Sequence, residues 1–144
     1  MMNTLIKPEI GTTLMRISLG IVLIFHSIYL KMMVFTLAGT AQFFDSIGLP
    51  STLAYGVFGI EAVAGIALVL GYQTRVFTAM VIPVLLGATW AHSANGWLFT
   101  NANGGWEYPL FLTMAAVAQF FLGDGAYALS KRVKNFTVST SVEV

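Results

Sequence analysis

The sequence predicts an all-α membrane protein: an antiparallel four-helix transmembrane bundle with both termini in the cytoplasm. Hydrophobic residues make up 57% of the 144 residues and charged residues only 9%, which exceeds the apolar content that a soluble domain of this size needs. The apolar residues fall into four segments of about 20 residues, the length of a membrane-crossing helix. A very short connection between the second and third segments predicts that these two helices are antiparallel.

The four predicted spans belong to a single domain, residues 1–130, which is followed by a basic, polar cytoplasmic tail, residues 131–144. The second span has Gly71 as its stop signal, and the third contains Pro83, which removes one backbone hydrogen bond. In order, the predicted spans are residues 13–31, 52–71, 76–94 and 106–122.

Two connections are longer than a helix hairpin requires. Residues 32–50 are apolar until Asp45, and three arrangements are open for them: an interfacial segment, a re-entrant segment, or an extension of the first helix that then turns back. Residues 95–106 are rich in glycine and asparagine and have Trp97 and Trp106 near their ends. Tryptophans in such positions are typical of the surface of a membrane.

The basic residues predict the orientation, because loops on the cytoplasmic side of a membrane carry an excess of lysine and arginine. With a cytoplasmic N-terminus, only Lys31 is left on the outer side, and Arg16 is expected to reach the inner surface by snorkelling. The basic residues on the inner side are then Lys7, Arg75, Lys131, Arg132 and Lys134.

Ionisable residues inside the apolar segments form the candidate functional site. Each costs roughly 2.5–3.5 kcal/mol on insertion scales, so their presence indicates a function. At 1.5 Å per residue, one or more from every span falls in the outer half of the bundle. The candidates for proton exchange are His26, Glu61, His92 and Glu107. The candidate pocket for a quinone or another ligand comprises Lys31, Trp97, Trp106 and Tyr108.

Composition also limits the chemistry. The absence of cysteine excludes disulfides and thiolate metal sites, and a net charge of +1 gives no indication of nucleic acid as a partner. The histidines and carboxylates lack a ligand-spacing motif such as Glu-x-x-His, so no metal site is predicted.

Several segments of the chain carry a resemblance to a known family: LMRISLG, IGLPSTLAYGVFGIEAVAGIALVLGYQTR, AHSANGW and GGWEYPLFL. With them, the chain resembles the DoxX family of small four-span bacterial membrane proteins over about residues 14–130. The family's usual HGxxK reads HSIYLK here, with the lysine one residue later. The closing LGDGAYALS is similar to the family's glycine-rich ending but lacks its final aspartate.

The resemblance implies a multi-pass protein of the bacterial inner membrane, since relatives are described as subunits of a thiosulfate:quinone oxidoreductase and as membrane partners in oxidative-stress complexes. The favoured hypothesis is therefore an accessory or quinone-interacting component of a membrane redox complex, with no covalently bound cofactor. Without cysteines or a recognisable haem, flavin or nucleotide motif, the chain requires a partner redox protein. The alternatives are a proton-coupled small-molecule transporter and a non-catalytic membrane scaffold or assembly subunit.

Overall fold

The computed structural model describes residues 7–131 and 133, which contain helices and no β-strand. The all-α fold predicted from the sequence is confirmed. The predicted tail, residues 131–144, lies outside the described residues except for Lys131 and Val133. The helices are α1 (Pro8–Ile24), which continues as a π-helix (Phe25–Val34), α2 (Leu37–Ser46), α3 (Leu53–Leu70), α4 (Thr74–Ala91) and α5 (Glu107–Leu122).

Three helical stretches are long and apolar enough to cross a membrane: Pro8–Val34, Leu53–Leu70 and Thr74–Ala91. The fourth, α5, is apolar but has only 16 residues. At 1.5 Å per residue it is about 24 Å long, somewhat shorter than the hydrocarbon core of about 30 Å. The helices therefore suit a lipid bilayer as their environment, and the orientation of the termini stays a prediction.

The bundle is antiparallel and its core lies between all four long helices. Arg16 near the start of α1 contacts the end of α3, whereas Lys31 beyond the end of α1 contacts the middle of α3. Residues 71–73 alone join α3 to α4, and Gly71 closes α3 in the left-handed conformation. The buried core residues are Leu19, Leu23, Ala64, Leu68, Val81, Leu85, Leu112 and Ala116.

Residues 32–50 begin as an extension of the first helix, one of the three arrangements that the sequence left open. The first helix extends to Val34 in π-helical form, and Phe35 donates its N–H to the carbonyl of Leu30 at 2.8 Å, closing the last π-type turn. Thr36 then takes a positive φ and caps α2, because its hydroxyl accepts the N–H of Gly39 at 3.1 Å. The short helix α2 packs against α3.

Arg16 is buried at the end of the bundle where the described chain begins and ends, rather than snorkelling to the surface as expected. Only 1% of its surface is exposed, and Nη1 donates to the carbonyls of Leu68 at 2.7 Å and Val69 at 3.3 Å. These carbonyls belong to the last turn of α3, where a cation is favoured by the helix dipole. Arg16 thus caps α3 from within the bundle.

The segment after α5 folds across the same end. Ala126 donates its N–H to the carbonyl of Glu9 at 3.1 Å, and Ser130 donates to the carbonyl of Gly71. A Cβ added at Gly71 would meet both the Arg16 guanidinium and the backbone of Ala128, so glycine is required between them. The segment 123–130 is therefore packed against the bundle and covers Arg16.

Candidate functional site

An ion pair joins the first helix to α3. Nζ of Lys31, on the π-helix, lies 2.6 Å from Oε2 of Glu61, and the two side chains are 18% and 6% exposed. The sequence assigned Lys31 to a ligand pocket and Glu61 to proton exchange without pairing them. Because both charges are largely removed from water, each depends on the other, and the pair fixes the register of α1 against α3.

The π-helical winding places His26 and Lys31 on one face. In a π-helix the hydrogen bonds join residues five positions apart, which brings such a pair closer to one face than in an α-helix, where five positions leave the two about 140° apart around the axis. His26 and Lys31 are separated by five positions, and both lie within Phe25–Val34. The winding therefore brings the His26 and Lys31 side chains nearer to each other around the helix axis than an α-helix would.

His26 connects the π-helix to α5. Its Nδ1 lies 2.9 Å from the carbonyl of Val22, which can only accept, so Nδ1 carries the proton and Nε2 of the neutral ring has the lone pair. The imidazole stacks on the ring of Tyr108 with centroids 6.1 Å apart and an interplanar angle of 27°. No hydrogen bond to Nε2 comes from residues 7–131, so this nitrogen is available as a hydrogen-bond acceptor.

Beside Tyr108 lies an apolar groove of about 470 Å³. Trp97, one of its walls, is held edge-to-face by Trp106 with ring centroids 4.5 Å apart. Glu107 and Tyr108 are the polar side chains at the groove. Phe111 is 67% exposed, so this wall of the groove lies on the outer surface of the bundle. The lining residues are Trp97, Phe99, Glu107, Tyr108, Leu110, Phe111 and Met114.

His92 and Glu107 hold the loop that carries Trp97. Nδ1 of His92 lies 3.1 Å from the carbonyls of both Asn103 and Gly104, so it carries a proton that it donates to the loop. Oε1 of Glu107 accepts the N–H of Phe99 at 2.9 Å. The negative charge of Glu107 also lies in the first turn of α5, where the helix dipole favours it.

The predicted residues thus lie in distinct contacts and do not form one network. Within residues 7–131, Glu61 hydrogen-bonds Lys31, His26 bonds a carbonyl of its own helix, and the other two candidates bond the loop. No group of three His, Asp or Glu residues in the described part of the chain is placed to hold a metal ion.

Four groove residues were missed by the sequence reasoning: Phe99, Leu110, Phe111 and Met114. Tyr108, Phe111 and Met114 recur every three residues on α5, and this spacing is a signal that could have found two of them. Phe99 has no comparable signal, because its position depends on the bond from its N–H to Glu107.

Comparison with known proteins places these residues in a family. The family model for DoxX matches residues 11–94, more than half of the chain. The chain belongs to the DoxX family. It is 34% identical over 110 residues to CatD of Bacillus subtilis (strain 168), a protein whose name classes it provisionally as an oxidoreductase. That similarity covers 76% of this chain and 78% of CatD. No solved structure matches the chain.

The DoxX match and the groove cover different parts of the chain. The matched range contains His26, Lys31, Glu61 and His92. The groove is lined from Trp97 onward, beyond the last matched residue. The DoxX match therefore covers the chain segment that holds the ion pair, whereas the groove must be argued from its own geometry.

Proposed function

We propose that this DoxX-family protein is a membrane-embedded component of a redox complex and that it binds a quinone in the groove beside Tyr108. The observation that carries the proposal is the combination of aromatic walls with a phenol and a carboxylate at the start of α5. A quinone needs an apolar route from the bilayer, flat surfaces against its ring, and proton-exchanging groups near its carbonyl oxygens.

Different side chains of the groove suit the ring, the tail and the head group of a quinone. Trp97 and Phe99 offer aromatic surface for the ring, and the exposed faces of Phe111 and Met114 offer apolar surface for a prenyl tail. Glu107 keeps one oxygen, Oε2, without a hydrogen bond from residues 7–131. The groove can therefore take an amphiphile that has its head at Glu107 and its tail toward the lipid.

Proton exchange would use Tyr108, Glu107 and His26. Conversion of a quinone to a quinol adds two electrons and two protons, one proton to each carbonyl oxygen. Tyr108 and Glu107 would contact the head group, while His26, stacked on Tyr108, has a free Nε2 to exchange protons behind it. The electrons must come from, or pass to, a partner protein, because the chain has no cysteine and no recognisable electron-carrying motif.

His92 and the Lys31–Glu61 pair act as positioning groups in this proposal. His92 fixes the loop carbonyls at Asn103 and Gly104, and thereby the loop that bears Trp97. Lys31 and Glu61 fix the π-helix, and thereby the His26 ring against Tyr108. Substituting them should change quinone affinity through displacement of the groove.

The test is a titration of the purified protein in nanodiscs with menadione and with a short-chain ubiquinone. Binding is monitored by the quenching of tryptophan fluorescence. Phe111→Ala and Tyr108→Phe should weaken quenching. Phe121→Ala, a similarly exposed phenylalanine at the other end of α5, is the matched control and should leave it unchanged. Equal affinities for the Phe111→Ala and Phe121→Ala variants would contradict the groove as the site.

The alternatives give different results in the same preparations. A protein that binds no quinone and dissipates a pH gradient across liposomes would support the proton-coupled transporter. A protein that does neither and co-purifies with a stable partner complex would support the scaffold. A redox component should instead co-purify with a partner that reduces or oxidises the bound quinone.

A further inference from the structure

A second apolar groove lies at the opposite end of the bundle, on the seam between α4 and α5. Its volume is about 490 Å³, and it is lined by Arg75, Val76, Ala79, Met80 and Phe120. Four of these side chains are apolar, and Val76 and Met80 are exposed on the surface that faces lipid. Arg75 is the cation among them, one residue after the start of α4.

Arg75 is exposed, and no carboxylate of the described residues is in ion-pair contact with its guanidinium. A Cβ added at Gly123 would lie 3.4 Å from both Nε and Nη2 of Arg75, so the guanidinium rests on the turn that follows α5. Within residues 7–131, Lys31 pairs with Glu61 and Lys131 pairs with Glu9, but no carboxylate lies within ion-pair distance of Arg75. Its charge is thus available to a ligand.

We propose that this groove binds a phospholipid whose head group carries a net negative charge. The phosphate would meet the exposed guanidinium of Arg75 and not the N-terminus of α4, because Oδ1 of Asp124 already accepts the N–H of Thr74 there at 3.3 Å. The first part of an acyl chain would lie along Val76, Ala79 and Met80. These side chains belong to a stretch of five helical residues that is about 7.5 Å long. This site is independent of the proposed quinone groove.

Charge and position favour a lipid over a soluble anion. The groove is open along the lipid-facing side of the seam, so a bilayer component reaches it directly. Arg75 lies at the same end as Lys131, and the distribution of basic residues predicts that this end faces the cytoplasm. Basic pockets between helices on that side suit anionic head groups, and each cation near the surface contributes about 1 kcal/mol.

The experiment is native mass spectrometry of the full chain released from nanodiscs that contain phosphatidylglycerol and phosphatidylcholine with identical acyl chains. The wild type should retain phosphatidylglycerol about fivefold over phosphatidylcholine, the ratio that one surface cation implies. Arg75→Gln should abolish the preference, and Arg75→Lys should restore part of it. Lys131→Gln, which removes an exposed cation outside the groove, should keep it.

A second variant tests the groove apart from the charge. Ala79→Trp keeps Arg75 but fills the space beside it, so it should displace the lipid while helical content, measured by circular dichroism, stays unchanged. Equal retention of both lipids by the wild type would overturn the proposal. Displacement of the bound lipid by inorganic phosphate, or retention in the Ala79→Trp variant, would overturn it in favour of a site for soluble anions.

Discussion

Gly20 of α1 and Gly65 of α3 face each other so closely that neither position has room for a side chain. A Cβ added at Gly20 would lie 2.8 Å from the carbonyl oxygen of Gly65, and one added at Gly65 would lie 2.9 Å from the carbonyl oxygen of Gly20. Small residues allow helix backbones to approach in this way, and such contacts drive helix association in membranes. By contrast, a Cβ at Gly56 or Gly59 would meet nothing within 4 Å.

Gly65→Ala should destabilise the protein, because the new methyl group would collide with the backbone of α1. We expect a loss of about 1–3 kcal/mol, the usual cost of overpacking. Gly59→Ala is the matched control on the same helix and should be neutral or stabilise by up to about 1 kcal/mol, since alanine favours a helix over glycine. Thermal unfolding in detergent measures both, and equal melting temperatures would contradict the close contact.

Glu61→Gln should cost more than removing both charges of the ion pair. The single variant leaves Lys31 without its partner, and we expect a loss of about 3 kcal/mol, at the lower end for buried pairs because Lys31 keeps 18% exposure. The double variant Lys31→Met with Glu61→Leu should lose less. The measurement is a thermal double-mutant cycle of Lys31→Met and Glu61→Leu, with Glu61→Gln measured beside it; additive losses in the cycle would show that the two charges do not interact.

Gly105→Ala should displace the loop that carries Trp97. A Cβ at Gly105 would lie 2.5 Å from the carbonyl oxygen of Trp97 and 2.6 Å from that of Gly96, and closer still to that of Leu98. We expect a shift in tryptophan emission and weaker quinone quenching. Gly87→Ala is the control, because a Cβ there meets nothing within 4 Å, and unchanged emission in both variants would contradict the contact.

Topology reporters should give opposite signals from the two ends of the bundle. A reporter fused after Val144 should lie in the cytoplasm, and one inserted near Asn101 should lie outside, because the basic residues are concentrated on the side of the termini. An alkaline phosphatase and a fluorescent protein, each tested at both sites, provide reciprocal readouts. Reversed signals would place the quinone groove at the cytoplasmic surface.

Hydropathy and spacing were sufficient to predict the helical fold. Apolar runs of membrane length predicted the helices, and Gly71 was correctly identified as the end of α3. The rise of 1.5 Å per residue also predicted that His26 and Glu61 lie at similar depths along their helices. These inferences need only the height of a residue along its helix, which the sequence supplies directly.

Partners could not be predicted, because they depend on how each helix is rotated about its axis. The sequence assigned Lys31 to a ligand pocket, but Lys31 faces α3 and pairs with Glu61. The π-helical winding from Phe25 to Val34, which decides where Lys31 points, has no signal in residue propensities. The burial of Arg16 likewise depends on a segment that follows α5 and reads from the sequence as a simple turn.

The enclosure of Arg16 also constrains how the protein is made. A ribosome delivers α1 first, yet the carbonyl of Leu68 that accepts from Arg16 comes 52 residues later, and Ala128 later still. Until then the cation has no partner in the bundle and keeps its contact with water at the membrane surface. Newly inserted α1 should therefore wait near the membrane surface or beside the insertion machinery, and the bundle should close only after translation of its last helix.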